Sequence, residues 1–506
     1  MSGGLTRDPR RAASSSYDLV VVGGGIHGVA ATLEAARRGL SVLLLERDDF
    51  GGATTWNSLR IVHGGLRYLQ SLDLRRFRES VGERRWLLEH FPDLVEPLPC
   101  LMPLYSPPRG GRLRRRTPFR VALALNDRLA PDPALAPGRL LDARETAELC
   151  PAVDPEGLSG GALWHDAVAP NSQRLLIEML RWACGRGAVA LSYVEAAELR
   201  VEEGRVAGVR ALDRASGERL DVTARAVLNC AGPWARRVAH RFHRDLPALA
   251  QPVLAFNLFL DIRADAILRG RTALAVAAPG SGAQTWFLLP WKERILAGTA
   301  YVTGAGEAGE SGPGDAAVEG FLRELNAALP ALGANRGQVL RVHWGWLPAA
   351  AEGSAVPGSR PVIHDHGREG GPAGLVSLSG VKLTTARALA ERALSTLFPG
   401  LPRLSPLAPA GRPAADPPLP WEGFARLAED DWGAARSWLA GFAERQAVVE
   451  LDDLLLRRTD WGVIPERAAL AERLCRSLLL GRPRGGRAAA PSEDTETLMA
   501  AGRGRG

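Results

Sequence analysis

Residues 18–47, DLVVVGGGIHGVAATLEAARRGLSVLLLER, admit few folds. A short apolar run, Tyr17–Val22, leads into Gly23, Gly25 and Gly28 at G-x-G-x-x-G spacing. Helical apolar spacing continues over Ile26–Arg38, Gly39 stands where a helix would stop, and Ser41–Leu45 is a second buried-strand run. Strand, glycine turn, helix, strand is the start of a doubly wound α/β sheet. Gly23 permits the tight turn, Gly25 lets backbone approach a diphosphate, and Gly28 lets the helix pack on the strand. The helix N-terminus turns its partial positive charge toward the phosphates. Glu46, ending the second strand, is placed to accept from adenosine ribose hydroxyls. Its charge disfavours a 2′-phosphate, and so NADP, even with Arg47 beside it.

The turn alone does not choose between NAD and FAD. Three later segments do. ATTWNSLRIVHGGLRYLQ, residues 53–70, replaces the next strand–helix unit of an ordinary NAD enzyme. It is rich in hydroxyl residues and glycine, which suits close passage along a cofactor. VLNCAGPWA, residues 227–235, reads as a strand and an Ala-Gly-Pro turn. LSGVKLTTARALAERAL, residues 378–394, reads as a strand, a glycine turn and a helix opened by Thr384 and Thr385. Such a helix start stabilises negative charge on a reduced flavin. No second G-x-G-x-x-G occurs between a strand and a helix, so no separate NAD(P)H site is expected.

In combination, VVGGGIHGVA, IVHGGLRYL, NCAGPW and KLTT resemble the FAD-dependent glycerol-3-phosphate dehydrogenases, within the D-amino-acid-oxidase-like flavoproteins. The resemblance covers residues 17–105 and 155–400 and extends to RQAVVELDDLLLRRTDWG at 445–462. It implies bound FAD in a discontinuous Rossmann-like domain, a β-sheet-rich substrate domain, and a small C-terminal helical domain. FAD contacts are then expected from Gly23, Gly25, Gly28, Glu46, Arg47, Thr54, Ser58, His63, Gly64, Gly65, Leu66, Ala231, Gly232, Gly380, Lys382, Leu383 and Thr384.

Oxidising an alcohol or amine requires a hydride to leave carbon and a proton to reach a base. His63 is the candidate base, because a histidine is readily neutral near pH 7; the alternative is a histidine that only contacts the cofactor. The resemblance gives Arg67 the anionic end of the substrate and Tyr68 a place in the pocket wall. Lys382 stands out by composition. Of 63 basic residues only Lys292 and Lys382 are lysines. A compact ammonium in the flavin loop is therefore expected to bind a substrate anion or to oppose charge on reduced flavin. Lys292 reads as a hairpin-turn charge.

The resemblance has gaps. The family's phosphate-binding arginine, in a G-x-R-P context, falls on Leu347 in HWGWLPAA. A second falls on His364 in PVIHDH, and a substrate-strand histidine falls on Leu258. Trp286, Trp291, Trp344 and Trp346 cluster in the same blocks, either as core or as the wall of a larger, more apolar pocket; Trp346, Leu347 and His364 are taken with Tyr68 as substrate-side positions. Three readings are open. The chain is a flavin oxidoreductase with altered specificity for an anionic small molecule, a glycerol-3-phosphate dehydrogenase with an unusual site, or an inactive flavin-binding scaffold. Quinone or O2 would be the electron acceptor.

A chain of 506 residues exceeds one core. The expected division is a disordered tail (1–16), a FAD-binding domain (17–105, 155–250 and 345–402), a substrate domain (106–154 and 251–344), a linker (403–420), a helical domain (421–482) and a second disordered tail (483–506). Strand-rich blocks are expected at 189–228 and 251–302. The basic stretch 109–120 reads as a solvated loop, a membrane-surface contact or a lid. The five cysteines have neither metal nor disulfide spacing, no metal site is expected, and no nucleic-acid module accompanies the +7 charge. With no apolar leader or membrane-length run, a cytoplasmic monomer or homodimer is expected, free or against the inner face of the membrane.

Overall fold

Leu19–Val22 and Val42–Leu45 are buried along their whole length. Their alternation decides which layer each face meets. Leu19, Val21 and Leu44 pack toward helices, whereas Val20, Val22, Leu43 and Leu45 pack toward a second, smaller sheet. This is the centre of a computed structural model that describes residues 4–480, apart from 71, 107–115, 250–251, 279–283, 304–307, 310, 352, 359, 403 and 405–410, and apart from the side chains of Arg67, Gln70 and Leu480.

The two strands lie in a six-stranded sheet with the order Val362–Asp365, Leu375–Ser379, Val227–Asn229, Leu19–Val22, Val42–Leu45, Val189–Leu191. All neighbours are parallel except the first pair. Helix Ile26–Arg37 covers one face between helices Ser172–Gly185 and Ala386–Leu397. Across the other face lies a four-stranded sheet of Ser16–Tyr17, Arg219–Ala224, Arg205–Asp213 and Val194–Glu202. The run read as Tyr17–Val22 is thus two strands in two sheets, broken at Asp18, whose carboxylate accepts from the Ser41 amide at 2.9 Å.

A nine-stranded sheet forms the second body, built on Val339–Pro348, Pro252–Arg263, Arg294–Thr303, Thr285–Trp291, Ala273–Ala277, Glu96–Tyr105, Leu158–Val168 and Ile61–Val62, with Arg139–Leu141 beside Leu158–Val168. Four segments expected in the cofactor domain (61–62, 96–105, 158–168 and 345–348) hydrogen-bond into this sheet. Most of their buried apolar side chains join the clusters around Phe256 and around Phe259, while Val62 and Ala167 pack into the Rossmann-like core. The α/β architecture expected from the sequence, with its β-rich second body and C-terminal helices, is the one observed.

The beginning of the chain corrects an expectation. Residues 4–16 are packed rather than loose: Pro9–Ala13 is a helix capped by Asp8, Leu5 is buried, and Arg7 pairs with Asp213. Two apolar anchors, Leu5 and Ala12, suffice in a stretch whose composition is otherwise polar. The expected linker is also tied down where it is described. Arg412 pairs with Asp93 at 2.6 and 2.8 Å, and Asp416 accepts from Gln446 at 2.8 Å. The C-terminal body comprises Trp421–Asp430, Trp432–Arg445, the π-turn Asp453–Arg458 and Pro465–Leu480. Phe424, Leu439, Phe442, Trp461 and Cys475 form its core. The tail 483–506 and most of the basic stretch 109–120 lie outside the described residues; 116–120 begin the helix Arg116–Leu129.

Candidate functional site

The phosphate turn opens onto a cavity of about 900 Å³. Gly23 has φ +105°, a conformation open to glycine. A Cβ on Gly28 would lie 1.8 Å from the Gly23 carbonyl oxygen, so the helix approaches the turn only because residue 28 is glycine. No side chain caps the helix at Gly25. Thr55 Oγ1 accepts the Ile26 amide at 3.1 Å, and a helix start of this kind attracts an anion to its remaining amides. Glu46 accepts the Gly24 amide at 2.6 Å and the Asp48 amide at 2.8 Å. Burial nevertheless pushes its carboxyl up to about 7. Arg47 lies 4.3 Å above the Trp234 ring at the same end.

The other two sequence blocks reach this cavity. Ala231 and Gly232 line it, held by Asn229, which accepts the Ala231 amide at 3.1 Å and donates to Ser377 at 3.0 Å. Gly380, Val381, Lys382 and Leu383 line the opposite side, with Thr54, Ser58, Trp344, Trp346 and Leu347 along the wall. Thr54 donates to the Trp346 carbonyl at 3.0 Å, tying the cofactor segment to the nine-stranded sheet. A helix start with no cap from Gly25, a carboxylate beyond it and a glycine-lined slot fit FAD. Gly23–Gly28 would hold the diphosphate, Glu46 the ribose, and Gly380–Leu383 the ring end.

His63 stands outside the residues that line the cavity. Its Nδ1 lies 3.1 Å from Asp166, and its ring packs 5.1 Å from Phe287. Asp166 is 3% exposed. It also accepts the Gly64 amide at 2.7 Å and Arg84 at 3.3 Å. Burial alone would raise its pKa, but the His63 hydrogen bond and charge, Arg84 and the Gly64 amide hold it below the usual carboxylate range. An ionised Asp166 fixes the proton on His63 Nδ1 and leaves Nε2 to accept another. Gly64 makes this possible by size. A Cβ there would sit 1.9 Å from Arg84 Nη1.

The expected site residues divide. Gly23, Gly25, Glu46, Arg47, Thr54, Ser58, Ala231, Gly232, Gly380, Lys382, Leu383, Trp346 and Leu347 share the cavity. Tyr68 is linked to it through Lys382, whose Nζ lies 4.3 Å over the Tyr68 ring. The Arg67 side chain lies outside the described residues. Gly65 packs on Ser80 and Tyr68, while Leu66 and Thr384 are buried off the cavity. Helix Ala386–Leu397 starts after both threonines, and Thr385 makes no side-chain capping bond. His364 lies on the edge strand, 4.7 Å from the His366 ring and away from the cavity. Leu258 is fully buried, and its neighbour Asn257 faces the cavity instead, because alternate residues of a strand point to opposite faces. Trp286 and Trp291 are core, whereas Trp344 and Trp346 line the wall. Lys292 is a hairpin-turn residue bonded to Asp460. Asp166, Arg84, Asn257, His27 and Arg457 carry no local signal that singles them out in the sequence.

Comparison with known proteins agrees with this geometry. The profile of the FAD dependent oxidoreductase (DAO) family matches residues 18–394. A glycerol-3-phosphate dehydrogenase of Synechocystis is 31% identical over 78% of this chain and 72% of its own length. Glycerol-3-phosphate dehydrogenase 1 of Mycobacterium bovis is 30% identical over 90% of this chain and 93% of its own. The chain spans about half, 52%, of the length of the mitochondrial enzyme of Bos taurus, at 29% identity over 75% of this chain. The crystal structure of a Bacillus halodurans glycerol-3-phosphate dehydrogenase complexed with FAD superposes with a TM-score of 0.67 at 20% identity, covering 97% of this chain and 95% of that one.

Proposed function

This chain belongs to the FAD-dependent oxidoreductases, and from that premise we propose that it oxidises a C–OH bond, less readily a C–N bond, of an anionic small molecule other than glycerol 3-phosphate. Bound FAD supplies the hydride acceptor at N5. His63, outside the cavity lining but half-exposed and oriented by Asp166, would take the hydroxyl proton at Nε2. Lys382 and Arg67 bind the anionic end, and Tyr68 supports the Lys382 ammonium from below. Quinone or O2 then removes the electrons.

Leu347 carries the change of specificity. It lines the cavity with Trp344 and Trp346. An arginine in that place would hold a phosphate dianion, and removing it from a desolvated site costs on the order of 2–5 kcal/mol. Two indoles favour a substrate with an apolar body and one anionic group. The test is anaerobic bleaching of the flavin by glycerol 3-phosphate beside a panel of 2-hydroxy acids, aryl-substituted alcohols and amino acids. Fast bleaching by glycerol 3-phosphate would return the chain to the activity named for its relatives. Failure of every compound in the panel would favour a scaffold.

A peripheral membrane contact is supported by one surface. Val121, Leu125 and Leu129 are 55%, 40% and 45% exposed and four residues apart on helix Arg116–Leu129. That helix packs on Leu66–Gln70, next to Leu72 and Leu74 at 78% and 41% exposure. Exposed Arg75, Arg78, Arg120 and Arg128 flank them. Such a patch suits an anionic lipid surface. Pelleting with vesicles of anionic and neutral lipid, at low and high salt, tests it.

A further inference from the structure

His27 is the last variable residue of the phosphate turn and lies in the first turn of helix Ile26–Arg37. Its ring lines the cavity and rests against Gly380, where a Cβ would sit 2.0 Å from Nε2. Gly380 does not have the left-handed conformation, so its missing side chain makes room for the imidazole and serves no backbone need. His27 Nε2 is enclosed and has no hydrogen-bond partner. An apolar side chain would fill the space without that penalty.

We propose that His27 takes up a proton when the FAD held in this cavity is reduced, and so sets how the cofactor's potential depends on pH. The inference rests on FAD occupying the cavity and is independent of the substrate. Two-electron reduction of FAD takes one proton to N5 and leaves a negative charge toward the pyrimidine end of the ring. In a poorly screened cavity that charge favours an imidazolium. Nε2 then binds one proton from bulk water, and two protons enter with two electrons.

Before reduction, burial holds the ring neutral, with its pKa down at about 4, and a hydrogen bond to the Lys382 backbone favours the charged form. Among the described residues, the cavity that His27 lines also carries Arg47, Arg237, Arg241, Arg457 and Glu195. Lys382 is the cation on the facing loop and lies over Tyr68. On its own helix, Glu34 is bound to Arg37 and Arg38. Glu46, Asp48 and Asp49 line the cavity from the segment after the second strand, and Asp49 is paired with Arg458. Cys230, from the third strand end, is kept a thiol by burial.

The test is a dye-coupled dithionite titration of the FAD-loaded protein between about pH 5 and about pH 8, with no substrate. For a two-electron couple each coupled proton adds about 30 mV per pH unit. The wild type is expected to steepen from about 30 to about 60 mV per pH unit toward the acid end. His27→Asn and His27→Gln should stay near the shallower slope at full FAD content. Steepening that persists in both variants would mean that the flavin or another group of the cavity such as Glu46, whose carboxyl burial raises to about 7, takes the second proton, and the proposal would be overturned. A wild-type slope that never steepens overturns it as well. If neither variant retains FAD, proton uptake by the wild type decides, read with a pH dye in weak buffer alongside NMR of nitrogen-labelled histidine. Two protons per two electrons, with a His27 signal that shifts on reduction, support the proposal; one proton refutes it.

Discussion

Replacing Asp166 with asparagine separates orientation from occupancy at His63. The amide has the same shape, and its oxygen still receives the Gly64 amide, now 2.7 Å from the carboxylate, and Arg84 at 3.3 Å. Its NH2 then faces His63 Nδ1, which lies 3.1 Å from Asp166 in the wild type. The imidazole must accept at Nδ1, so its single proton moves to Nε2 and the base is lost. Positioned general bases contribute roughly 10²–10⁴-fold, which is about 2.7–5.5 kcal/mol of barrier. Stability also falls. Arg84 is 2% exposed and loses its counter-charge, which costs at most about 3–5 kcal/mol; the His165 carbonyl at 3.0 Å remains as a partner. The assay is anaerobic stopped-flow bleaching of the flavin by the fastest compound of the panel, on protein checked for FAD content and near-UV circular dichroism. Asp166→Asn should bleach a hundredfold or more slowly while still holding FAD, and the double variant with His63→Asn should be hardly slower than either alone. Bleaching within about threefold of the wild type would refute the assignment of His63 as an oriented base.

Neighbouring geometry predicts other outcomes. The Glu46 carboxyl is raised to about 7 by burial, so the folded, FAD-free protein holds that proton where the unfolded chain has released it. Glu46 therefore lowers stability as pH rises from its ordinary value through about 7; deflavinated Glu46→Gln should melt above the wild type at pH 8, with the gap closing toward pH 5. Asp49→Asn removes the counter-charge of Arg458, bonded at 2.6 and 2.8 Å, and of Arg457. At about 3 kcal/mol for a broken buried pair, amide exchange in helices Trp421–Asp430 and Trp432–Arg445 should speed more than a hundredfold; less than tenfold would show that the clamp does not hold the helical body. Because the depressed Asp49 carboxylate stabilises only while ionised, the protection of the same amides, taken relative to their intrinsic exchange rates, should fall as pH falls into the acid range. Leu347→Arg should raise the bleaching rate by glycerol 3-phosphate tenfold or more, and no gain would place the phosphate determinant elsewhere.

Much of the cofactor site is readable because its signals are local. Gly23, Gly25, Gly28 and Glu46 lie within one strand–helix–strand unit, and the Ala231–Gly232 and Gly380–Leu383 turns each come directly after a short buried strand. The support for His63 is not local. Asp166 and Arg84 come from a strand and a helix 103 and 21 residues away in the chain, and only the pairing of Ile61–Val62 with Ala167–Val168 brings the first of them under the ring. Leu258 shows a second limit. Matching a strand by similarity leaves its register open by one residue, and one residue exchanges a core side chain for Asn257 at the cavity. Gly64 shows a third. Its small size reads equally well as space for a cofactor or for Arg84, and only packing distinguishes them.

The clamp on Asp49 has a consequence for biosynthesis. Arg457 lines the cavity, Arg458 neutralises a carboxylate laid down some four hundred residues earlier, and Leu5 pairs with Gln446. A ribosome must therefore extend the chain through Arg458 before the nucleotide cradle has its full set of walls. A nascent chain halted ahead of those two arginines would display a phosphate turn with no far side.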